Sequence, residues 1–246
     1  MKKIIQNIIE SKNPDEINEW LIEIGKQPEE IKISEIKQVI KKKSAESIFP
    51  KILLNLAWIL GEISDKAPLD DDLIELLIEK FYKSDRWVRN EIIKTFQKFS
   101  NNYSNQEFFM ESILNLLGNA IFDDYQPIAL NSLKALLNYS DLPSQIIAKI
   151  FKLLKKEDKE ISNQAVLILR KFINSEESLV EFLNEHQIYI DLNPKAIRNI
   201  LLGWFQNIIR LESFRDAILN AKWQKDKKDL FLKEIDVYQK ILIRAH

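Results

Sequence analysis

The chain has 246 residues, 46% hydrophobic and 30% charged, a balance that belongs to folded globular proteins and excludes a disordered chain. Its 36 Lys and Arg against 37 Asp and Glu leave a formal net charge of −1, so no global basic field draws in nucleic acid. The absence of cysteine excludes disulfides, thiolate metal sites and cysteine nucleophiles, and it fits a reducing cytosol.

From the N terminus, residues 1–25 read as one or two helices, with Asn13-Pro14-Asp15 as stop and restart. The opening apolar run turns polar at Gln6, too soon for a signal peptide, and no stretch approaches the roughly 20 apolar residues that cross a bilayer. The expectation is a soluble, cytoplasmic protein with no membrane partner. Only four glycines and seven prolines interrupt a chain rich in Leu, Ile, Lys and Glu, which predicts an all-α protein with short connections.

A helix–turn–helix phrase then recurs. The second helices open on Ile52, Val88, Ile128, Ile161 and Ile197, spaced 36, 40, 33 and 36 residues apart. From each opener, apolar or small residues fall at offsets of four, five, eight and eleven, one face of a 3.6-residue helix. Ile52 is followed by Leu56, Ala57, Leu60 and Ile63; Ile197 is followed by Leu201, Leu202, Phe205 and Ile208. Shorter partner helices are predicted before each opener, over residues 34–43, 71–81, 108–121, 142–154 and 178–186. Asp85, Asp124, Asp158 and Asn193 stand three or four residues before their openers, where a side-chain oxygen caps the first turn. Residues 212–246 predict a short helix and then a long one from about Lys225 to Arg244. The expected organisation is one continuous domain over 1–246, with capping helices at 1–33 and 211–246 around repeats at 34–210.

Asp85, Val88 and Arg89 in one repeat, and Leu60, Gly61 and Ile63 in another, carry the two halves of a familiar phrase. The chain resembles the HEAT-repeat, armadillo-like α-solenoids. That resemblance implies a right-handed α–α superhelix of about five helical hairpins plus capping helices, with the second helices lining a concave surface. It also implies a binding or scaffold role rather than catalysis.

Catalytic chemistry has little to stand on. His186 and His246 are the two histidines, and neither belongs to a His-Glu dipeptide of the kind that holds iron in HEAT-repeat hydroxylases. His186 reads as a helix-terminal histidine. The acidic clusters Asp70–Asp72 and Asp123–Asp124 read as helix starts, so no metal or other cofactor is expected. Asp85, Trp87 and Arg89 have the residue types used by HEAT-like alkylpurine DNA glycosylases, which makes a DNA-binding or DNA-repair protein the alternative reading.

Offsets of three, six and ten lie opposite the core face. They place Asn55, Trp58, Lys94, Lys98, Asn131, Lys134, Asn138, Gln164, Lys171 and Asn207 on one predicted ridge. Amides can bond an extended backbone, lysines favour an acidic segment, and Trp58 offers an aromatic anchor. The expected partner is a protein or peptide, with nucleic acid less favoured.

Overall fold

A computed structural model describes residues 2–64, 67–100, 107–206 and 208–245. Among the described residues every long element is an α-helix and no strand occurs. The chain divides into two compact units, Met1–Ser140 and Asp141–His246.

The first unit is four hairpins: α1 (Lys2–Glu10) with α2 (Pro14–Gly25), α3 (Ile33–Lys43) with α4 (Phe49–Ser64), α5 (Asp71–Lys83) with α6 (Arg86–Ser100), and α7 (Glu107–Ala120) with α8 (Gln126–Asn138). The second helices pack in sequence, α2 on α4, α4 on α6 and α6 on α8. The segment expected as an N-terminal cap is thus itself a hairpin. It breaks at the expected point, where the Asn13 side chain accepts the Asp15 N–H at 3.0 Å.

The offset pattern accounts for the core of this unit. Leu56, Ala57, Leu60 and Ile63 are buried, as are Ile92, Ile93, Phe96 and Phe99. Each such aliphatic or aromatic side chain contributes about 1.5–3 kcal/mol on burial, more than any surface bond of the array. Predicted caps operate at α5 and α6: Asp70 accepts from the Leu73 N–H, and Asp85 from the N–H groups of Trp87 and Val88. At α8 the inward carboxylate is Asp123, not Asp124. Asp123 accepts the Tyr125 N–H at 2.9 Å and pairs with Arg89 at 2.5 Å, which draws it into the turn.

Lys43 is a buried ion on α3. Its ammonium donates to the Ser11 carbonyl at 2.6 Å and to Glu46 at 3.2 Å, which ties the α1–α2 turn to the end of α3.

The second unit contains α9 (Ser144–Leu153) with α10 (Lys159–Phe172), and α11 (Glu176–Glu185) with the short α12 (Ile188–Asp191) and α13 (Pro194–Trp204). It ends with α14 (Ile208–Asn220) and α15 (Lys225–Ala245). Here α10 packs on α13 and α13 on α15, while α11 packs on α14. The C-terminal segment expected as a cap is again a hairpin. Asp158 and Asn193 cap α10 and α13 as expected.

At α13 the core face departs from the offset pattern. Ile200, expected outside, is fully buried, while Leu202 and Ile208, expected inside, are 60% and 37% exposed. The buried set Ile197, Ile200, Leu201 and Trp204 follows the i, i+3, i+4, i+7 rule on its own. Because α13 stops at Trp204, offset eleven no longer lies on the helix. Close packing also selects this rotation, since a Cβ on Gly203 would come within 2.1 Å of Val166 Cγ1.

Candidate functional site

Helices α4, α6 and α8 carry seven of the ten ridge residues, all in the first unit. Most of their polar atoms are turned to neighbouring repeats. Asn55 donates to Asn18 at 2.8 Å, and Asn131 donates to Asn90 at 2.9 Å. Asn138 donates to the Gln97 carbonyl and to Ser100, each at 3.3 Å. Each bond spans one repeat, so the predicted binding stripe includes a ladder that joins adjacent second helices.

Trp58 is half-buried over Gly25, where a Cβ would fall 2.3 Å from a ring carbon. Its indole N–H donates to Glu62 at 2.9 Å, and Glu62 also accepts from Lys98 at 2.7 Å. Thr95 extends the same seam, donating to the Ala57 carbonyl at 2.8 Å beside Gly61.

Two lysines differ. Lys94 is exposed and pairs only with Glu91 of its own helix, at 3.0 Å. Lys134, on α8, is half-buried, and its side chain has no ion pair or hydrogen bond among the described residues. Both occupy offset six of their repeats, on second helices that pack together.

In the second unit, Gln164 is half-buried on α10, and Lys171 is exposed with its ammonium 5.2 Å from the Phe172 ring. Leu167 and Leu202 lie exposed on α10 and α13, along a groove of about 270 Å³ that also touches Arg170 and Asn199. Asn199 donates to the Leu154 carbonyl at 2.9 Å, another amide used within the fold. Asn207 lies outside the described residues.

The residues of the alternative reading are engaged in packing. Asp85 caps α6, Arg89 pairs with Asp123, and Trp87 meets the edge of Tyr125 at 5.7 Å. The Arg86 guanidinium lies 5.1 Å from the Trp87 ring and 5.2 Å from the Tyr125 ring, filling the space between them. His186 ends α11 against Phe182, with ring centroids 4.4 Å apart. Among the described residues no three His, Asp or Glu side chains gather as a metal-holding group, and no helix is long and apolar enough to cross a membrane.

His186 also lines a cleft of about 370 Å³ in the second unit, together with residues that the repeat pattern does not single out: Lys149, Lys152, Lys155 and Asp191. The three-residue spacing of the lysines is visible in the chain. Their meeting with the α11–α12 turn depends on how that hairpin packs.

No protein-family model matches the chain, and no curated protein matches it. Solved structures do. One engineered protein overlays with a TM-score of 0.55 at 14% identity, covering 96% of this chain and 68% of its own. A second engineered protein gives 0.53 at 13% identity, covering 96% of each chain. A designed armadillo repeat protein gives 0.47 at 12% identity, covering 95% of this chain and 97% of its own. The two overlays above 0.5 show a shared fold, a tandem array of α-helical hairpins.

Proposed function

We propose that the chain is a non-catalytic binding module that receives an acidic segment of a partner protein on the second-helix face of the Met1–Ser140 unit. One observation supports this reading above others: Lys134 is half-buried without a counterion, on a face where neighbouring polar groups have partners. A cation partly withdrawn from water and left unpaired gains from an arriving carboxylate. Lys94, at the same position of the packed helix α6, adds a second charge. The ladder amides and Trp58 then serve as a rigid platform rather than as the contacts themselves.

The test is fluorescence anisotropy with a labelled oligoglutamate peptide and, in parallel, a labelled DNA duplex, over a salt series. Peptide binding is expected, weakened about tenfold or more by Lys94→Glu with Lys134→Glu. Folding should be unchanged within about 0.5 kcal/mol, since both side chains leave the core untouched. Equal peptide affinity in the double variant removes the proposal. Tighter binding to the duplex than to the peptide favours the DNA-binding alternative.

A further inference from the structure

The cleft between α9 and the α11–α12 turn is independent of the second-helix face. Lys149 and Lys152 stand three apart on α9, and so project to one side of that helix, with Lys155 in the turn just beyond. Like charges so spaced cost a helix a few tenths of a kcal/mol, so the arrangement is not there for helix stability. The side chains of Lys152, Lys155 and Asp191 form no ion pair or hydrogen bond among the described residues. Lys152 and Lys155 thus bring two positive charges to the lining that no side chain of the fold takes up.

The floor of the cleft is apolar and braced. Phe151 is fully buried there and stacks on Phe182 with centroids 5.8 Å apart; Phe182 in turn holds the His186 ring. Ile188 and Leu192 continue this surface. Gln187, between His186 and Ile188, has φ 52° and ψ 24°, the one positive-φ non-glycine among the described residues. A residue without glycine's freedom held in the left-handed region costs about 1–2 kcal/mol, and such positions gather where the backbone must present neighbours in a fixed way. Here the neighbours presented are His186 and Ile188, both facing the cleft.

We infer that this cleft binds a phosphate monoester with an aromatic or apolar body, the ester oxygens on Lys152 and Lys155 and the body against the apolar wall formed by Ile188 and the His186 ring, over the buried Phe151. A phosphate monoester carries about −1.5 to −2 charges near neutrality, which suits the two lysines left without partners. The volume lies within the roughly 300–1,000 Å³ of small-molecule sites. A bare inorganic anion would use the lysines and leave the apolar wall unfilled.

The measurement is amide NMR of the full chain titrated with phenyl phosphate, inorganic phosphate, phenol and a short phosphotyrosine peptide at moderate salt. Saturable shifts at residues 149–155 and 186–192 are expected with phenyl phosphate. They should need about tenfold less ligand than with inorganic phosphate, and phenol should give none. Lys152→Ala with Lys155→Ala should weaken phenyl phosphate about tenfold or more, while Lys94→Glu with Lys134→Glu leaves it unchanged. A peptide tighter than phenyl phosphate assigns the ligand to a modified side chain on a partner; equal or weaker binding assigns it to a free ester. Equal response to inorganic phosphate and phenyl phosphate, or an unaffected lysine variant, overturns the inference.

Discussion

In the Met1–Ser140 unit the polar side chains between second helices close on one another: Asn55 on Asn18, Asn131 on Asn90, and Glu62 on both Trp58 and Lys98. The Asp141–His246 unit is built otherwise. There, Phe205, Phe214 and Phe231 form an aromatic core with Tyr189 stacked on Trp223 at 4.6 Å, and the indole N–H groups of Trp204 and Trp223 are buried without a hydrogen-bond partner. Both units make polar bonds between helices, but the second adds a cluster of packed rings around two unpaired indole donors, each worth about 1–3 kcal/mol. The first leaves only Arg89 Nε unpaired among the described buried donors. A polar residue at an outward repeat position is therefore poor evidence for a partner until its own bonds are known. Lys134 and Lys152 stand out because they lack such bonds, not because they are exposed.

Breaking the second unit should have the largest effect. Phe214 is fully buried between Phe205 and Phe231, so Phe214→Ala is expected to cost about 3–5 kcal/mol in chemical denaturation. A loss under 1 kcal/mol would mean that the rings do not hold this unit. In the first unit the strongest polar stitch is Arg89–Asp123, whose carboxylate is nearly buried. Arg89→Ala should cost about 1.5–3 kcal/mol, because the nearly buried Asp123 carboxylate loses its main donor.

The ladder amides come next. Asn55→Ala and Asn131→Ala should each lower stability by about 0.5–1.5 kcal/mol while leaving acidic-peptide affinity nearly unchanged. The reverse pattern, intact stability with lost binding, would show that the amides serve a partner and that the contrast between the units is drawn wrongly.

The smallest effect is alkaline. Burial raises the phenol pKa of Tyr139 in the first unit and of Tyr238 in the second, where the hydroxyl donates to the Phe205 carbonyl at 2.6 Å. The fold favours the neutral form, so this contribution is complete below about pH 10, the unfolded value, and is lost as pH rises above it. Melting temperature should fall above that point, and Tyr139→Phe or Tyr238→Phe should each flatten the fall. A slope identical to that of the parent in both variants would sink this assignment.

Much of this was legible in the chain. Periodicity gave the helices of the repeats to within a few residues, because each buries one apolar stripe, and Asp70, Asp85, Asp158 and Asn193 act locally as caps. What escaped depends on neighbours distant in sequence. Asp123 rather than Asp124 turns inward because Arg89 waits 34 residues earlier, and α13 rotates because Val166 needs the space beside Gly203. Asn55 reads as outward by its offset, yet its partner lies on another helix. The Lys152–His186 cleft was hidden for the same reason: its walls meet only through the packing of α9 against the α11–α12 turn.

The Asn18–Asn55 bond joins two residues of the same kind, with the later amide donating to the earlier carbonyl oxygen. An amide that donates in such a bond still carries an acceptor oxygen of its own. A hairpin with this residue can therefore be its own complement: in a tandem copy of residues 33–64, the copied amide has the same chemistry to donate to as Asn55 finds on Asn18. Lengthening this unit by duplication asks for no new interface chemistry at that position, and a chain so extended should melt no lower than its parent.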